Sequence, residues 1–162
     1  MPHYNVLFLC TGNSARSIMA EAILKRKGGG NFTAYSAGSH PNGFVHPEAI
    51  LQIERAGLST ADFRSKSWEE FSKPDSPHLH FVFTVCDSAA KEECPLWPGQ
   101  PMTAQWGVPD PAALVGTPEE VDRAFVEAYA ILDRRITLFL CLPIETLSTF
   151  ALKEKLDRIG KS

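Results

Sequence analysis

The sequence predicts one α/β domain built on a mostly parallel central sheet with helices on both faces. Short apolar runs alternate along the chain with segments of helical periodicity, which is the pattern of strand–helix–strand units. The 162 residues, 44% of them hydrophobic, suit a single domain over 1–162, with a helical extension from about residue 144. We find no repeat or linker that would divide it.

Each element follows from a local pattern. Short strands are predicted at 5–9, 33–36 and 79–85, and the first is a continuous apolar run typical of a strand buried on both faces. Helical spacing of apolar residues predicts helices from Ala15 to the glycines at 28–30, over 47–56, from Pro118 to Pro143 and over 147–159. Thr117 and Glu120 have the spacing of a capping box. We expect the last helix to pack outside the core and Cys141 to lie within it.

Composition excludes several functions. The 16 lysines and arginines against 19 aspartates and glutamates give a net charge of −3, so no broad basic field could hold nucleic acid or anionic lipid. The longest apolar stretch, Ile136–Leu142, is far shorter than the ~20 residues of a membrane span. Four scattered cysteines and no signal-type N-terminus lead us to expect a cytoplasmic protein. Thiols there serve as core filler, metal ligands or reactive groups.

The strongest chemical signal is the segment between the first strand and the first helix, Cys10-Thr11-Gly12-Asn13-Ser14-Ala15-Arg16-Ser17, which we call the oxyanion loop. Gly12 lets the loop fold tightly, and Arg16 falls in the first turn of the helix. The backbone N–H groups of residues 11–16 can then surround a tetrahedral oxyanion, and the guanidinium of Arg16 offers it two donors.

We predict that Cys10 is the nucleophile of this loop. A helix N-terminus and an adjacent cation lower the pKa of a cysteine from ~8.5 to ~3.5–7.5, so we expect Cys10 to be largely ionised at neutral pH. Ser17 could donate a hydrogen bond to the sulfur, and Asn13 could brace the loop through its amide. The alternative is a small buried cysteine that only closes the strand, with Arg16 in solvent.

Two more cysteines follow the third strand. Cys86 comes directly after its end, and ligands of open α/β sheets bind beyond the carboxyl ends of strands, so Cys10 and Cys86 could be neighbours within disulfide reach. Cys94 follows a polar stretch that could refold and bring it to Cys86. Alternatively, Cys86 is a packed core thiol and Cys94 a surface residue. A zinc site of His78, His80 and these two cysteines is disfavoured, because no C-x-x-C pair occurs.

A carboxylate stands between two prolines in Pro109-Asp110-Pro111. The prolines keep the backbone extended and restrict the direction of the side chain. Asp110 could therefore be a general acid that protonates a leaving oxygen, a step worth ~10²–10⁴-fold in rate. The alternative is an aspartate in an ordinary turn.

Taken together, these motifs resemble a known family. The oxyanion loop, the triplet Ser36-Ala37-Gly38 and the pair Asp110-Pro111 resemble the low-molecular-weight protein tyrosine phosphatases, over roughly residues 4–140. Within that fold, Cys86, Cys94 and the run from Cys94-Pro95 to Trp106-Gly107 resemble the thioredoxin-coupled arsenate reductases.

The resemblance implies a relay of three thiols for arsenic detoxification. Cys10 attacks arsenate held by the loop and Arg16, while Asp110 protonates the departing oxygen. Cys86 then attacks Cys10, which releases arsenite and leaves a Cys10–Cys86 disulfide, and Cys94 resolves it into a Cys86–Cys94 disulfide. The expected reductant is an external thiol from thioredoxin, glutaredoxin or glutathione, with no tightly bound cofactor. Phosphate and sulfate are expected to compete with arsenate.

The resemblance also implies a monovalent cation near the loop, beside Asn13, Glu21 and Ser36. Lys66 stands at the matching acidic position, so we expect its ammonium group to replace the ion.

Two other functions stay open. A phosphatase would hydrolyse phosphoesters through a phosphocysteine on Cys10 and would need neither Cys86 nor Cys94. Departures from the phosphatase pattern disfavour it, since Ala15 replaces a cysteine before the loop arginine, and Ala112 and Ala113 replace tyrosines. A noncatalytic oxyanion or metal-binding module would turn over neither substrate.

Overall fold

The computed structural model describes residues 2–86 and 97–162. The strands within these ranges are β1 (Tyr4–Leu9), β2 (Phe32–Ala37), β3 (Phe81–Thr84) and β4 (Met102–Gln105). The α-helices of the same ranges are α1 (Arg16–Lys27), α2 (Pro47–Arg55), α3 (Pro118–Leu140) and α4 (Thr149–Ile159). Short 3₁₀ helices lie at Gly29–Asn31, Trp68–Phe71, Pro111–Ala113 and Ile144–Thr146.

The described strands form one parallel sheet in the order β2–β1–β3–β4. In β1, Leu9 pairs with Ala37 of β2 on one side and with Thr84 of β3 on the other. Residues 6–9 of β1 are completely buried, as their continuous apolar run predicts. Because adjacent parallel strands end at the same edge of a sheet, the residues that follow β1 and β3 emerge side by side.

Helical segments cover both faces of the sheet, as predicted, but unequally. Val6 and Phe8 of β1 belong to the larger core cluster, together with α1, α3 and α4. Leu7 and Leu9 point to the opposite face, where they pack with Phe71 of a 3₁₀ helix. Because α3 packs on α1 in this cluster, it holds α1, and the loop that precedes it, against the sheet.

The helix boundaries follow the predicted signals. Thr117 Oγ1 accepts a hydrogen bond from the N–H of Glu120, and Glu120 Oε1 accepts one from the N–H of Thr117, both at 3.2 Å. A cap of this kind stabilises a helix by about 1 kcal/mol. At the end of α1, the N–H of Gly28 donates to the carbonyl of Leu24. Among the described residues, no helix combines the length and the apolar character that crossing a membrane requires.

Three features differ from the sequence-based expectations. No prediction covers β4, because only Ala104 of its residues is buried and no apolar run marks it. The expectation that the last helix packs outside the core is wrong, since Leu156 of α4 is completely buried and its carbonyl accepts a hydrogen bond from Trp106 Nε1 at 3.0 Å. Cys141 is exposed rather than in the core, because it lies two residues, or ~200° of helical rotation, beyond the buried Phe139.

Candidate active site

The oxyanion loop turns its carbonyl groups outward. The carbonyls of Thr11, Gly12 and Ser14 accept hydrogen bonds of 2.8–2.9 Å from backbone N–H groups of residues 40–46. Within residues 2–86 and 97–162, the N–H groups of residues 12–17 donate to no protein acceptor. Consecutive N–H groups without a protein acceptor that lead into a helix N-terminus are available to an anion, and anion binding by this loop stays a prediction.

Asn13 holds the loop from within. Its φ of +44° lies in the left-handed region, which asparagine adopts more readily than most residues. Its buried amide donates to Ser17 Oγ at 2.8 Å and accepts from the N–H of Lys66 at 2.8 Å. These contacts are the bracing expected of Asn13. The hydrogen bond expected between Ser17 and the Cys10 sulfur is not formed in the described part of the chain, where Ser17 Oγ serves as the acceptor for Asn13 instead.

Gly38 allows the loop to approach the end of β2. A Cβ atom at this position would collide with the carbonyl oxygen of Thr11 and lie 2.7 Å from that of Cys10. The N–H of Gly38 donates to the carbonyl of Lys66 at 2.9 Å. The glycine of the Ser36-Ala37-Gly38 triplet is therefore required by the close approach of two backbone segments.

Cys10 and Cys86 meet at the carboxyl edge of the sheet. Both side chains are buried thiols, they are hydrogen-bonded to each other, and the N–H of Thr11 donates to Cys86 Sγ at 3.2 Å. The prediction that they are neighbours is confirmed by the adjacent positions of β1 and β3. Cys94, the third thiol of the predicted relay, lies outside the described residues.

The contact between the two thiols changes the expected ionisation of Cys10. The hydrogen bond with Cys86 and burial raise the pKa of Cys10, and the opposing effects of Arg16 and the N–H of Thr11 are smaller. A thiol that donates to a neighbouring sulfur gives up that bond when it ionises, which favours the protonated form. The expectation of a largely ionised Cys10 is therefore wrong for this arrangement of the site.

Arg16 and Asp110 lie together beside the oxyanion loop. Nη1 of Arg16 donates to the carbonyl of Val108 at 2.8 Å, and Nη2 lies 3.5 Å from Asp110 Oδ2. The other carboxylate oxygen of Asp110 accepts a hydrogen bond from the N–H of Ala112 at 3.0 Å, so Asp110 also caps a 3₁₀ helix. The guanidinium is thus shared with the segment that carries Asp110, which limits its effect on the Cys10 sulfur.

The chain matches the model of the low molecular weight phosphotyrosine protein phosphatase family over residues 5–154. It belongs to that family. Over 121 residues it is 37% identical to an arsenate reductase of Bacillus licheniformis, a match that covers 74% of this chain and 83% of the relative. The family resemblance predicted from the motifs is therefore confirmed.

Solved structures show the same fold. An arsenate reductase in the phosphate binding state is 27% identical, with a TM-score of 0.63, and the match covers 83% of this chain and 97% of that chain. The thioredoxin-dependent arsenate reductase of Corynebacterium glutamicum is 23% identical, with a TM-score of 0.56 over 85% of this chain and 64% of that chain, and shares the fold.

An ammonium group lies in this phosphatase-family site where the cation is expected. Nζ of Lys66 is 4.0 Å from Glu21 Oε1 and donates to the carbonyl of Arg64 at 2.9 Å. Glu21 Oε1 also accepts from Ser36 Oγ at 2.5 Å. Burial lowers the pKa of Lys66 and raises that of Glu21, and each charge opposes the shift of the other. Because like charges repel, these residues do not fit a second, bound cation.

Three of the four ligands of the alternative zinc site lie in the described residues, and these three do not come together. The rings of His78 and His80 lie against each other, with centroids 4.8 Å apart, before β3 begins. Cys86 follows β3 and therefore lies at the opposite end of that strand. Across residues 2–86 and 97–162, no group of three histidine, cysteine or acidic side chains could hold a metal ion.

Sequence reasoning missed several residues that orient the loop from a distance. Ser65 Oγ donates to the carbonyl of Gly12 at 3.2 Å, and the carbonyl of Val108 receives Arg16. These partners are 53 and 92 residues apart in sequence. No spacing or periodicity marks a contact of this kind. The only available signal is that Val108 lies two residues before the Asp110-Pro111 motif.

Proposed function

We propose that this protein reduces arsenate to arsenite, with Cys10 as the nucleophile and with Cys86 and Cys94 completing the reduction. The observation that carries the proposal is the contact between Cys10 and Cys86 at the edge of the sheet. Hydrolysis of a phosphoester has no use for a second thiol, whereas disulfide chemistry requires one within bonding reach. The name of the Bacillus licheniformis relative supports the same reaction.

In the first step, Cys10 attacks arsenic and one arsenic–oxygen bond breaks. The pKa of Cys10 is raised, so its proton passes to the entering arsenate dianion as the sulfur attacks. Asp110 gives its proton to the departing oxygen, which leaves as water. The N–H groups of the loop and Arg16 stabilise the negative charge. A charged oxyanion is a stronger acceptor than the neutral carbonyl of Val108, so its entry draws the guanidinium toward the loop.

In the second step, the electrons come from the thiols. Cys86 attacks Cys10 Sγ, a sulfur–sulfur bond forms, and the sulfur–arsenic bond breaks with its electron pair left on arsenic, which departs as arsenite. Cys94 then attacks Cys86, releases Cys10 as a thiolate and forms the Cys86–Cys94 disulfide. An external dithiol supplies two electrons to reduce that disulfide and restore the enzyme.

We further propose thioredoxin as the external donor and the cytoplasm as the compartment. The thioredoxin-dependent neighbour of the same fold supports this donor, and a relay that starts from reduced thiols needs a reducing compartment. Glutaredoxin and glutathione are the alternatives to be compared. Phosphate and sulfate should compete with arsenate for the loop, since both are tetrahedral oxyanions.

We also propose that the ammonium group of Lys66 takes the place of a monovalent cation beside Asn13, Glu21 and Ser36. Its Nζ is the positive group nearest to Glu21 in the contacts described above, and the Lys66 backbone N–H binds Asn13 Oδ1. Turnover should then be equal in potassium, sodium and choline salts. A crystal structure with potassium beside Glu21 and Lys66 turned away would refute this.

The test compares Cys86→Ser and Cys94→Ser with wild type on two reactions, arsenate turnover with each donor and aryl phosphate hydrolysis. Both variants should lose arsenate turnover. Hydrolysis should be kept, because it needs attack by Cys10 and then hydrolysis of the phosphocysteine by water, and neither Cys86 nor Cys94 takes part in these steps. Cys141→Ser, which changes an exposed cysteine, is the control and should match wild type. Equal arsenate turnover in all four proteins would refute the relay. Aryl phosphate hydrolysis without arsenate turnover by wild type would establish a phosphatase.

A further inference from the structure

Arg135 of α3 is a buried guanidinium that contacts backbone carbonyls. It is 7% exposed, and no aspartate or glutamate of the described ranges pairs with it. Nη1 donates to the carbonyl of Trp106 at 2.8 Å and to that of Gly107 at 3.0 Å, and Nη2 donates to that of Ser162 at 3.3 Å. Nε is buried without a partner. Burying a guanidinium without an aspartate or glutamate partner is costly, so the presence of Arg135 at this place needs an explanation.

The carbonyls that Arg135 holds belong to the connection between β4 and Asp110. On one side of this connection, the N–H of Trp106 donates to the carbonyl of Thr84 at 2.7 Å and that of Val108 to the carbonyl of Val85 at 3.0 Å. These bonds attach it to the end of the strand that leads to Cys86. On the other side, its carbonyls accept hydrogen bonds from two arginines. Those of Trp106 and Gly107 accept from Arg135, and that of Val108 accepts from Arg16.

The side chain of Trp106 is held independently of Arg135. Its ring stacks on Phe83 with centroids 4.0 Å apart and planes 11° apart, and its Nε1 donates to the carbonyl of Leu156 in α4. The end of α4 also presses on this residue, because a Cβ atom at Gly160 would lie 2.9 Å from the Trp106 ring. The ring is therefore anchored by β3 and α4, and the direction of the following peptide groups depends on Arg135.

We propose that Arg135 is a positioning residue for Asp110. By donating to the carbonyls of Trp106 and Gly107, it sets the direction in which the chain leaves β4 and so the place from which Asp110 delivers its proton. Arg135 touches no reacting atom and acts through the connection. The inference rests on the proposed function, because it concerns Asp110 as a general acid.

The variants are Arg135→Met, which removes the hydrogen-bond donors of the guanidinium, and Arg135→Lys, which keeps the positive charge but donates from a single nitrogen. Arg134→Met is the matched control, because Arg134 is exposed, neighbours Arg135 on α3 and donates to the same Ser162 carbonyl at 2.9 Å. Within the described contacts, Arg134 does not reach Trp106 or Gly107. Each variant is made in the wild-type and the Asp110→Asn background, and kcat/KM is measured for arsenate and for aryl phosphates of increasing leaving-group pKa.

We expect Arg135→Met to lower kcat/KM by about 10²-fold for phenyl phosphate and by little for dinitrophenyl phosphate, because a poor leaving group depends on the acid and a small displacement of it is costly. Arg135→Lys should recover part of the loss, and Arg134→Met should match wild type. In the Asp110→Asn background, Arg135→Met should have no further effect on either substrate class.

A loss that is equal for all leaving groups and in both backgrounds would overturn the inference, because a smaller folded fraction produces that pattern. If Arg135→Met does not fold, Arg135→Lys takes its place. The ratio of its kcat/KM values for the two aryl phosphates, measured in both backgrounds, then tests the inference. If aryl phosphates are not hydrolysed, kcat/KM for arsenate is measured for Arg135→Met, Asp110→Asn and the double variant. Arg135→Met should again have no further effect in the Asp110→Asn background. An Asp110→Asn variant as active as wild type would overturn the acid role itself. Wild-type inactivity on both substrates would overturn the proposed function, and this inference with it.

Discussion

Nη2 of Arg16 lies 3.5 Å from Oδ2 of Asp110, so the group expected to bind the oxyanion and the group expected to protonate the leaving oxygen form an ion pair. An incoming oxyanion competes with Asp110 for the same guanidinium. When Arg16 turns to the anion, its contact with Asp110 is given up. The pair thus couples substrate entry to the position of the Asp110 carboxyl group.

Arg16→Lys should weaken phosphate binding by about 10-fold to 100-fold. The ammonium keeps the charge, but it cannot make the two parallel hydrogen bonds that a guanidinium offers to an oxyanion. Calorimetric titration with phosphate measures the change. Arg26→Lys, on the exposed side of the same helix, is the control and should bind phosphate as wild type does. Equal affinity in Arg16→Lys would mean that the backbone N–H groups alone hold the anion.

Cys86→Ala should lower the pKa of Cys10. The hydrogen bond with Cys86 is the largest cause of the raised pKa, and only the thiolate reacts with iodoacetamide. In wild type, alkylation of Cys10 should therefore increase mainly above the ordinary thiol pKa of ~8.5, and in Cys86→Ala at lower pH. Mass spectrometry of the peptide that contains Cys10 follows the reaction. Cys141→Ala should leave the profile unchanged, and identical profiles in all three proteins would contradict the prediction.

Lys66→Met should destabilise the protein by about 3 kcal/mol, because it leaves Glu21 buried without its ammonium partner. The two side chains are 8% and 13% exposed, so solvent can replace little of the lost interaction. Lys66→Met combined with Glu21→Gln should recover much of the loss, since glutamine carries no charge and still accepts from Ser36. Urea unfolding of the single and double variants measures the coupling. Additive losses would show that Glu21 and Lys66 do not depend on each other.

Gly38→Ala should reduce phosphate affinity by about 10-fold or more while the protein still folds. The added methyl group meets two backbone carbonyls of the oxyanion loop, which can yield only if the loop moves. Gly30→Ala is the control, because nothing lies within 4 Å of a Cβ atom there. Phosphate titration and thermal unfolding of both variants test this. An unchanged phosphate affinity in Gly38→Ala would show that the loop tolerates the displacement.

Much of the fold follows from local sequence, because its strongest signals are local. The apolar run of β1 and the capping box at Thr117 each depend on residues within one element, and both are confirmed. The position of β4 and the packing of α4, by contrast, depend on contacts between residues that are far apart in sequence. Trp106 donates a hydrogen bond to the carbonyl of Leu156, which is 50 residues away, and neither segment predicts this contact by itself.

The candidate site divides in the same way. Cys10, Arg16 and Asp110 are recognisable because each stands at a strand end, in a helix turn or between prolines. The protonation of Cys10 was not predictable, because it depends on the orientation of the Cys86 thiol. The contacts of Arg16 with Val108 and Asp110 were not predictable either, because they depend on the tertiary structure.

The pairing of Leu9 with Thr84 restricts how this chain can change in evolution. Side chains alternate between the two faces of a strand, so one residue gained or lost between Phe81 and Cys86 would carry the second sulfur to the far side of the sheet. Insertions beyond Cys86 leave the meeting of the two sulfurs intact. Descendants that keep the contact between the two sulfurs are therefore not free to vary in length within the strand that leads to Cys86.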